Sequence, residues 1–185
     1  MKLHMFRFVV LTLFIFGISA CSTLPEELMS SNPDVQTNYS DWKMSVESSQ
    51  ELRLGGVIAS VTNLKDKTRL EVVNLPIGLT GKPDIDQEPQ GRFVAYVDGF
   101  ADPVKFAEGR LITLLGNSDG KEAADVGDYH YEFPVMKAIG YHLWRIEERV
   151  LIHNDFGPAT YSCRSFYCRE ITRGTQQGVV IQEVK

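Results

Sequence analysis

The sequence predicts an all-β fold, a small OB-like five-stranded barrel with one short helix, carried behind a lipidated N-terminal tether. Three observations predict it. An apolar run ends at a small-residue cleavage site and a cysteine. From Leu52 onward, segments of six to ten residues rich in Val, Ile, Leu and aromatics alternate with Gly, Pro, Asp and Asn. That pattern reads as short strands joined by turns. A short segment opening Asp-Pro falls between the third and fourth of these strands.

Lys2 and Arg7 give the chain a basic start, and Phe8 to Ile18 is an uncharged, mostly apolar run. Such a start, followed by Ser19, Ala20 and Cys21, describes a secretory signal. The run is shorter than the ~20 apolar residues a spanning helix needs. Ile18-Ser19-Ala20-Cys21 is similar to the lipobox of bacterial lipoproteins. There the Cys thiol receives diacylglycerol, the chain is cut before it, and a palmitate follows. Several acyl chains anchor firmly, because each buried CH₂ contributes about 0.8 kcal/mol. Ser22 stands where Asp would favour the inner membrane, so the expected destination is the outer membrane, periplasmic side. The expected partners are the membrane, through covalent lipid, and the lipoprotein-sorting machinery.

The domain expectation has four parts: a cleaved signal over 1–20, a lipidated tether over 21–50, a barrel over 51–150 and a tail over 151–185. The tether is polar, with Pro25, Pro33 and several Ser and Asn, and it accommodates a short helix around Glu26–Met29. The chain from Cys21 to Lys185 is long enough for one domain with a real core. The full sequence carries 19 basic and 24 acidic residues, and loss of Lys2 and Arg7 takes the formal charge from −5 to −7. Such a balance argues against nucleic acid as a partner.

The strands follow in order. Leu52–Thr62 contains Gly55-Gly56, and paired glycines suggest a bulge or sharp bend. Alternation would place Val57, Ala59 and Val61 on one face, opposite Ile58, Ser60 and Thr62. The second strand is Thr68–Leu75. A long loop, Pro76–Gly91, leads to the third, Arg92–Val97. Asp102–Ala107 reads as one or two helical turns, with Asp as cap and Pro at the first position. The fourth strand is Arg110–Gly116, and Asn117–Asp128 reads as a loop. The fifth is Tyr129–Ala138, extending toward Tyr141–Trp144, with Pro134 marking an edge or bulge. Three strands, a helix, then two strands is the OB order. A β-sandwich would want about seven strands.

The chemistry-bearing residues form no catalytic set. Gly116-Asn117-Ser118-Asp119-Gly120 matches G-x-S-x-G, whose Ser must sit on a strand-to-helix elbow over a parallel sheet. No βαβ alternation surrounds it, and no His follows Asp155. A periplasmic hydrolase using Ser118 is the alternative function. Asp84, Asp86 and Glu88 resemble the start of a calcium loop, but Pro89 and Ala95 stand where its Gly and Glu belong. A solvated acidic loop is the reading. Cys163 and Cys168, four residues apart in an oxidising compartment, read as a disulfide. Zinc would need two further ligands, and His153 is the nearest His. No metal or cofactor is expected. His130 and His142 are isolated, and Glu147-Glu148 reads as a solvated face. Tyr129, Tyr131, Phe133, Tyr141 and Trp144 read as barrel core and rim.

Six pieces in register resemble the starvation-inducible outer-membrane lipoproteins of the Slp type. They are Arg53–Val57 (RLGGV), Thr68–Pro76 (TRLEVVNLP), Lys82-Pro83 with Gly91-Arg92, Gly99–Val104 (GFADPV), Ile112–Gly116 (ITLLG), and Gly140-Tyr141 with Trp144. The resemblance implies a non-enzymatic outer-membrane lipoprotein linked to starvation and envelope stress. An envelope protein or cell-wall partner is the expected ligand. The tail from Arg145 departs from the aromatic, Gly- and Pro-rich tails associated with that family.

Overall fold

The computed structural model describes residues 24–47, 49–152 and 178–185. Seven strands run through them: β1 (Glu51–Asn63), β2 (Lys67–Leu75), β3 (Gly91–Asp98), β4 (Leu111–Val126), β5 (Tyr129–Leu143), β6 (Ile146–Ile152) and β7 (Gly178–Val184). The first five close into a barrel in the order β1-β2-β3-β5-β4, with β4 returning to β1. Only the β3–β5 pairing is parallel. The OB-like ring expected from sequence is therefore present. β6 and β7 form a separate antiparallel ribbon.

Closure depends on β1 turning from one neighbour to the other. Its first half pairs with β4 and its second with β2, and Gly55, Gly56 and Val57 pair with both. A Cβ on Gly56 would lie 2.0 Å from the Val73 carbonyl oxygen, and one on Gly55 would meet Ile77 Cγ2 at 2.4 Å. Glycine is required here for close approach. Asn74, fully buried, clips the bend by donating Nδ2 to the Gly55 carbonyl at 2.9 Å.

The expected face alternation fails beyond this point. The register slips between Ile58 and Ser60, leaving Ala59 as a bulge residue. A bulge shifts the inward phase by one residue. Ile58 and Val61 therefore both face the barrel core, whereas Val57 faces a cluster outside the barrel.

Two plugs close the barrel, and neither is a helix between β3 and β4. At one end Asp102–Ala107 makes a single capped turn. Asp102 Oδ1 accepts from Val104 N at 2.9 Å, and the Asp102 carbonyl accepts from Lys105 N and Phe106 N, both at 2.9 Å. Gly109, at φ 83, ends the segment before another turn can form. The turn still delivers Phe106 into the core, edge-on to Tyr141 at 5.0 Å.

The other end is plugged by residues expected to be tether. A 3-10 turn spans Glu26–Leu28, and helix α1 spans Tyr39–Met44. Asn38 caps α1 by accepting from Ser40 N and Asp41 N at 2.9 and 3.3 Å. Tyr39, Trp42 and Val46 then share one face and are buried with the barrel core. Trp42 meets Phe93 edge-on at 5.9 Å. Full burial of such side chains contributes several kcal/mol, so this stretch is integral to the fold.

The Asn117–Asp128 loop expectation is also corrected. β4 and β5 continue past the barrel as a long hairpin, pairing Lys121–Val126 with Tyr129–Pro134. The register breaks between Ser118 and Lys121, opposite Pro134, and Gly120 adopts φ 75. There the arm bends over the outer face of β2 and β3.

Candidate functional site

β3 and β5 touch only over Val94–Tyr96 against Val135–Lys137. Beyond that they part. Ile139 is the extra residue of a second bulge, since Leu115 pairs with Gly140 and Gly116 with Ala138. The bulge turns Ile139 outward, 61% exposed. The parting leaves a groove of about 810 Å³ between the ends of the two strands. Its walls bring charges of both signs, Lys105 and Lys137 against Glu27 and Asp98, around an apolar strip of Val97, Ile139 and Tyr141. The floor is tight. A Cβ on Gly140 would lie 2.1 Å from the Glu27 carbonyl oxygen, so the N-terminal segment is seated directly on β5. An open strand edge flanked by mixed charge suits an extended segment of another protein, bound through its backbone.

A second polar surface lies under the β4–β5 arm. Arg69 Nε donates to Glu122 Oε1 at 2.7 Å, and Tyr96 Oη donates to Glu122 Oε2 at 2.6 Å. Arg92 Nη1 donates to Glu71 Oε1 at 2.5 Å. Arg69 also lies over the Phe133 ring at 5.6 Å, and Lys67 over Tyr96 at 3.6 Å. Burial, and next the bond to Glu122, push the Tyr96 phenol up. Arg69 and Tyr96 tie the arm down through Glu122, whereas Arg92 and Glu71 join β3 to β2; Val94, Phe133 and Val135 form the apolar cluster there.

Ser118 holds a structural position. It lies on β4 at the foot of the arm, not on a strand-to-helix elbow. Its Oγ accepts from Trp42 Nε1 at 2.9 Å and donates to the Val46 carbonyl at 2.6 Å. Its backbone N–H donates to the Gln50 carbonyl at 2.9 Å. The residue clasps the N-terminal segment to the barrel. Asp84 accepts from Asp86 N at 3.0 Å, an Asx-turn in the acidic loop.

The aromatics divide. Phe133 and Trp144 are buried, Tyr131 and Tyr141 pack against cores, and Tyr129 is exposed. His130 bonds Asp125 at 2.9 Å on the exposed arm. Glu147 lies on the ribbon, as a solvated strand face. Its carboxyl sits below the usual range through its bond to Lys185. Cys21, His153, Asp155, Cys163 and Cys168 lie outside the described residues. The sequence reading passed over Trp42 and Tyr39. The spacing of Tyr39, Trp42 and Val46, three and then four residues apart behind an Asn-x-x-Asp start, was the available clue.

Barrel, groove and a packed N-terminal segment define a small β-barrel domain that follows a lipobox-like cysteine by a few residues. The chain belongs to the outer membrane lipoprotein Slp family, whose model matches residues 18–169. It is 33% identical over 141 residues to the uncharacterized lipoprotein YeaY of Escherichia coli strain K12, covering 75% of this chain and 72% of that one. It is 32% identical over 142 residues to the outer membrane protein Slp of the same strain, covering 73% of each chain. An uncharacterized protein of Haemophilus influenzae is 31% identical over 140 residues, covering 73% of this chain and 74% of that one. No solved structure matches the chain. Membership makes this protein an outer-membrane lipoprotein by class.

Proposed function

We propose that the protein is a non-enzymatic envelope component, anchored by acylated Cys21 on the periplasmic side of the outer membrane. Its groove binds an extended segment of another envelope protein or a cell-wall component under starvation or stress. The observation that carries the binding role is the parting of β3 and β5, which leaves strand edge and Ile139 open in a barrel otherwise closed. The anchoring role is supported by the lipobox, by the family, and by the short path from Cys21 to the packed Leu24. The clasp made by Ser118 speaks for a structural rather than a nucleophilic serine.

In-cell cross-linking from a photoreactive residue at Ile139 tests the groove. A discrete envelope adduct, lost when Lys105 and Lys137 are both changed to Glu, is the expected result. Cross-linking no greater than from the exposed Val104 would end this reading. Cys21→Ser tests the anchor. A processed protein that still fractionates with the outer membrane would contradict it.

A further inference from the structure

Leu24 marks where the chain enters the fold. It packs with Leu28 on the outer face of the barrel, in the cluster of Leu111, Leu115 and Trp144. Its Cδ1 would lie 2.8 Å from a Cβ on Gly81. Ser22 and Thr23 alone separate it from Cys21. Three residues span at most about 10 Å. A bilayer that holds acylated Cys21 therefore passes within roughly that distance of the Leu24 backbone, and the Leu24 side chain reaches on to Gly81.

Gly81 ends a tight hairpin. Ile77 bridges Pro83, Gly78 N donates to the Lys82 carbonyl at 3.0 Å, and Gly81 N donates to the Gly78 carbonyl at 2.9 Å. Thr113 Oγ1 pins it from below by donating to the Gly81 carbonyl at 2.6 Å. Turn tips favour Gly, Pro, Asn, Asp and Ser. This one carries Leu79, and the side chain is wholly exposed. A rigid, bonded turn thus holds a bare leucine beside the point where the lipid begins.

Trp144 connects this turn to a polar cleft. Its ring lies 3.9 Å from the Cβ position of Gly81, and its Nε1 donates to Thr113 Oγ1 at 2.9 Å. It lines a cleft of about 480 Å³ with Arg110 and Arg145. Among the described residues neither arginine forms an ion pair. Arg110 Nε is buried without a hydrogen-bond partner there. On the ribbon that follows Arg145, the Glu147 carboxylate pairs with Lys185 at 2.6 Å.

We propose that this face is a second membrane contact: Leu79 inserts into the bilayer that anchors Cys21, and the Arg110–Arg145 cleft receives a phospholipid phosphate. The proposal rests on the anchor reading above. The lipid tether supplies attachment, and the face supplies orientation, turning the β3–β5 groove to a fixed angle against the membrane. The overall negative charge does not oppose it, because a local guanidinium pair acts over about a Debye length of 8–10 Å.

The test uses the lipidated protein in vesicles of phosphatidylethanolamine and phosphatidylglycerol. An environment-sensitive fluorophore is placed at Leu79→Cys, in a Cys163→Ser, Cys168→Ser background, with Met44→Cys on α1 as control. Mass spectrometry of the same sample reads acylation of Cys21. The label at position 79 is expected to shift to the blue and to be quenched by nitroxide-bearing acyl chains, while the control stays aqueous. Arg110→Gln with Arg145→Gln should reduce that quenching. An acylated protein whose position-79 label behaves like the control overturns the membrane face. Unchanged quenching in the double arginine variant overturns the phosphate site. A protein that lacks acylation overturns the anchor reading instead.

Discussion

Replacing Gly56 by alanine adds a single methyl group at the point where β1 pairs with both neighbours. That methyl carbon would lie 2.0 Å from the Val73 carbonyl oxygen, 2.8 Å from the Val73 carbonyl carbon and 2.9 Å from Val72 Cγ1. Carbon–oxygen contacts settle near 3.3 Å or more, so the β1–β2 ladder must open by about 1 Å. The obstacle is backbone, which cannot rotate away. Overpacking of a core costs about 1–3 kcal/mol, and the upper end applies where the ladder itself must move. In a domain of this size that corresponds to a melting point lower by about 6–12 °C. Circular dichroism of the purified protein in detergent reads the shift. Gly78→Ala is the control, because a Cβ there meets nothing within 4 Å. Equal melting points for Gly56→Ala and Gly78→Ala would refute the bent-strand account of closure.

Further outcomes follow from other contacts. Ser118→Ala removes both the acceptor of Trp42 Nε1 and the donor to Val46, so a loss of about 1–3 kcal/mol in chemical denaturation is expected; stability equal to wild type would contradict the clasp. Burial, and next Tyr131, push the Tyr39 phenol well above its usual 10.0, while it donates to the Arg92 carbonyl at 2.8 Å. A raised pKa stabilises fully below pH 10 and is lost as pH rises through the folded value. Urea midpoints should therefore fall above pH 10 in wild type and fall less in Tyr39→Phe; parallel curves would remove Tyr39 from the account. Cys163 and Cys168 should resist alkylation in protein taken from the periplasm until a reductant is added, and two free thiols would exclude the disulfide.

The barrel was legible because its strands carry their own punctuation. Val, Ile and Leu runs between Gly, Pro and Asp clusters mark β1, β2 and β3 to within a residue or so, and Gly55-Gly56 marks the bend. The β4–β5 arm was not legible. Lys121–Val126 has weak β-propensity, and Asn117–Gly120 is built of turn residues. The arm is held instead by contacts distant in sequence, Glu122 with Arg69 and Tyr96 and Phe133 with Val94. The Asp-Pro signature forecast a helix at Asp102, and the capped turn did form, but Gly109 follows too soon for a second. The polar composition around α1 concealed Tyr39 and Trp42, whose burial is set by the open barrel end rather than by neighbours in the chain. The groove left little local trace in the sequence, because it arises from where β3 and β5 part.

The central claim is that this barrel sits at the outer membrane by lipid on Cys21, close against the face that carries Leu24 and Leu79. The most direct measurement is the mass of the N-terminal peptide recovered from purified outer membranes. The account predicts a chain that starts at Cys21 and carries three acyl chains. A chain that starts at Met1, or an unmodified Cys21, would contradict it.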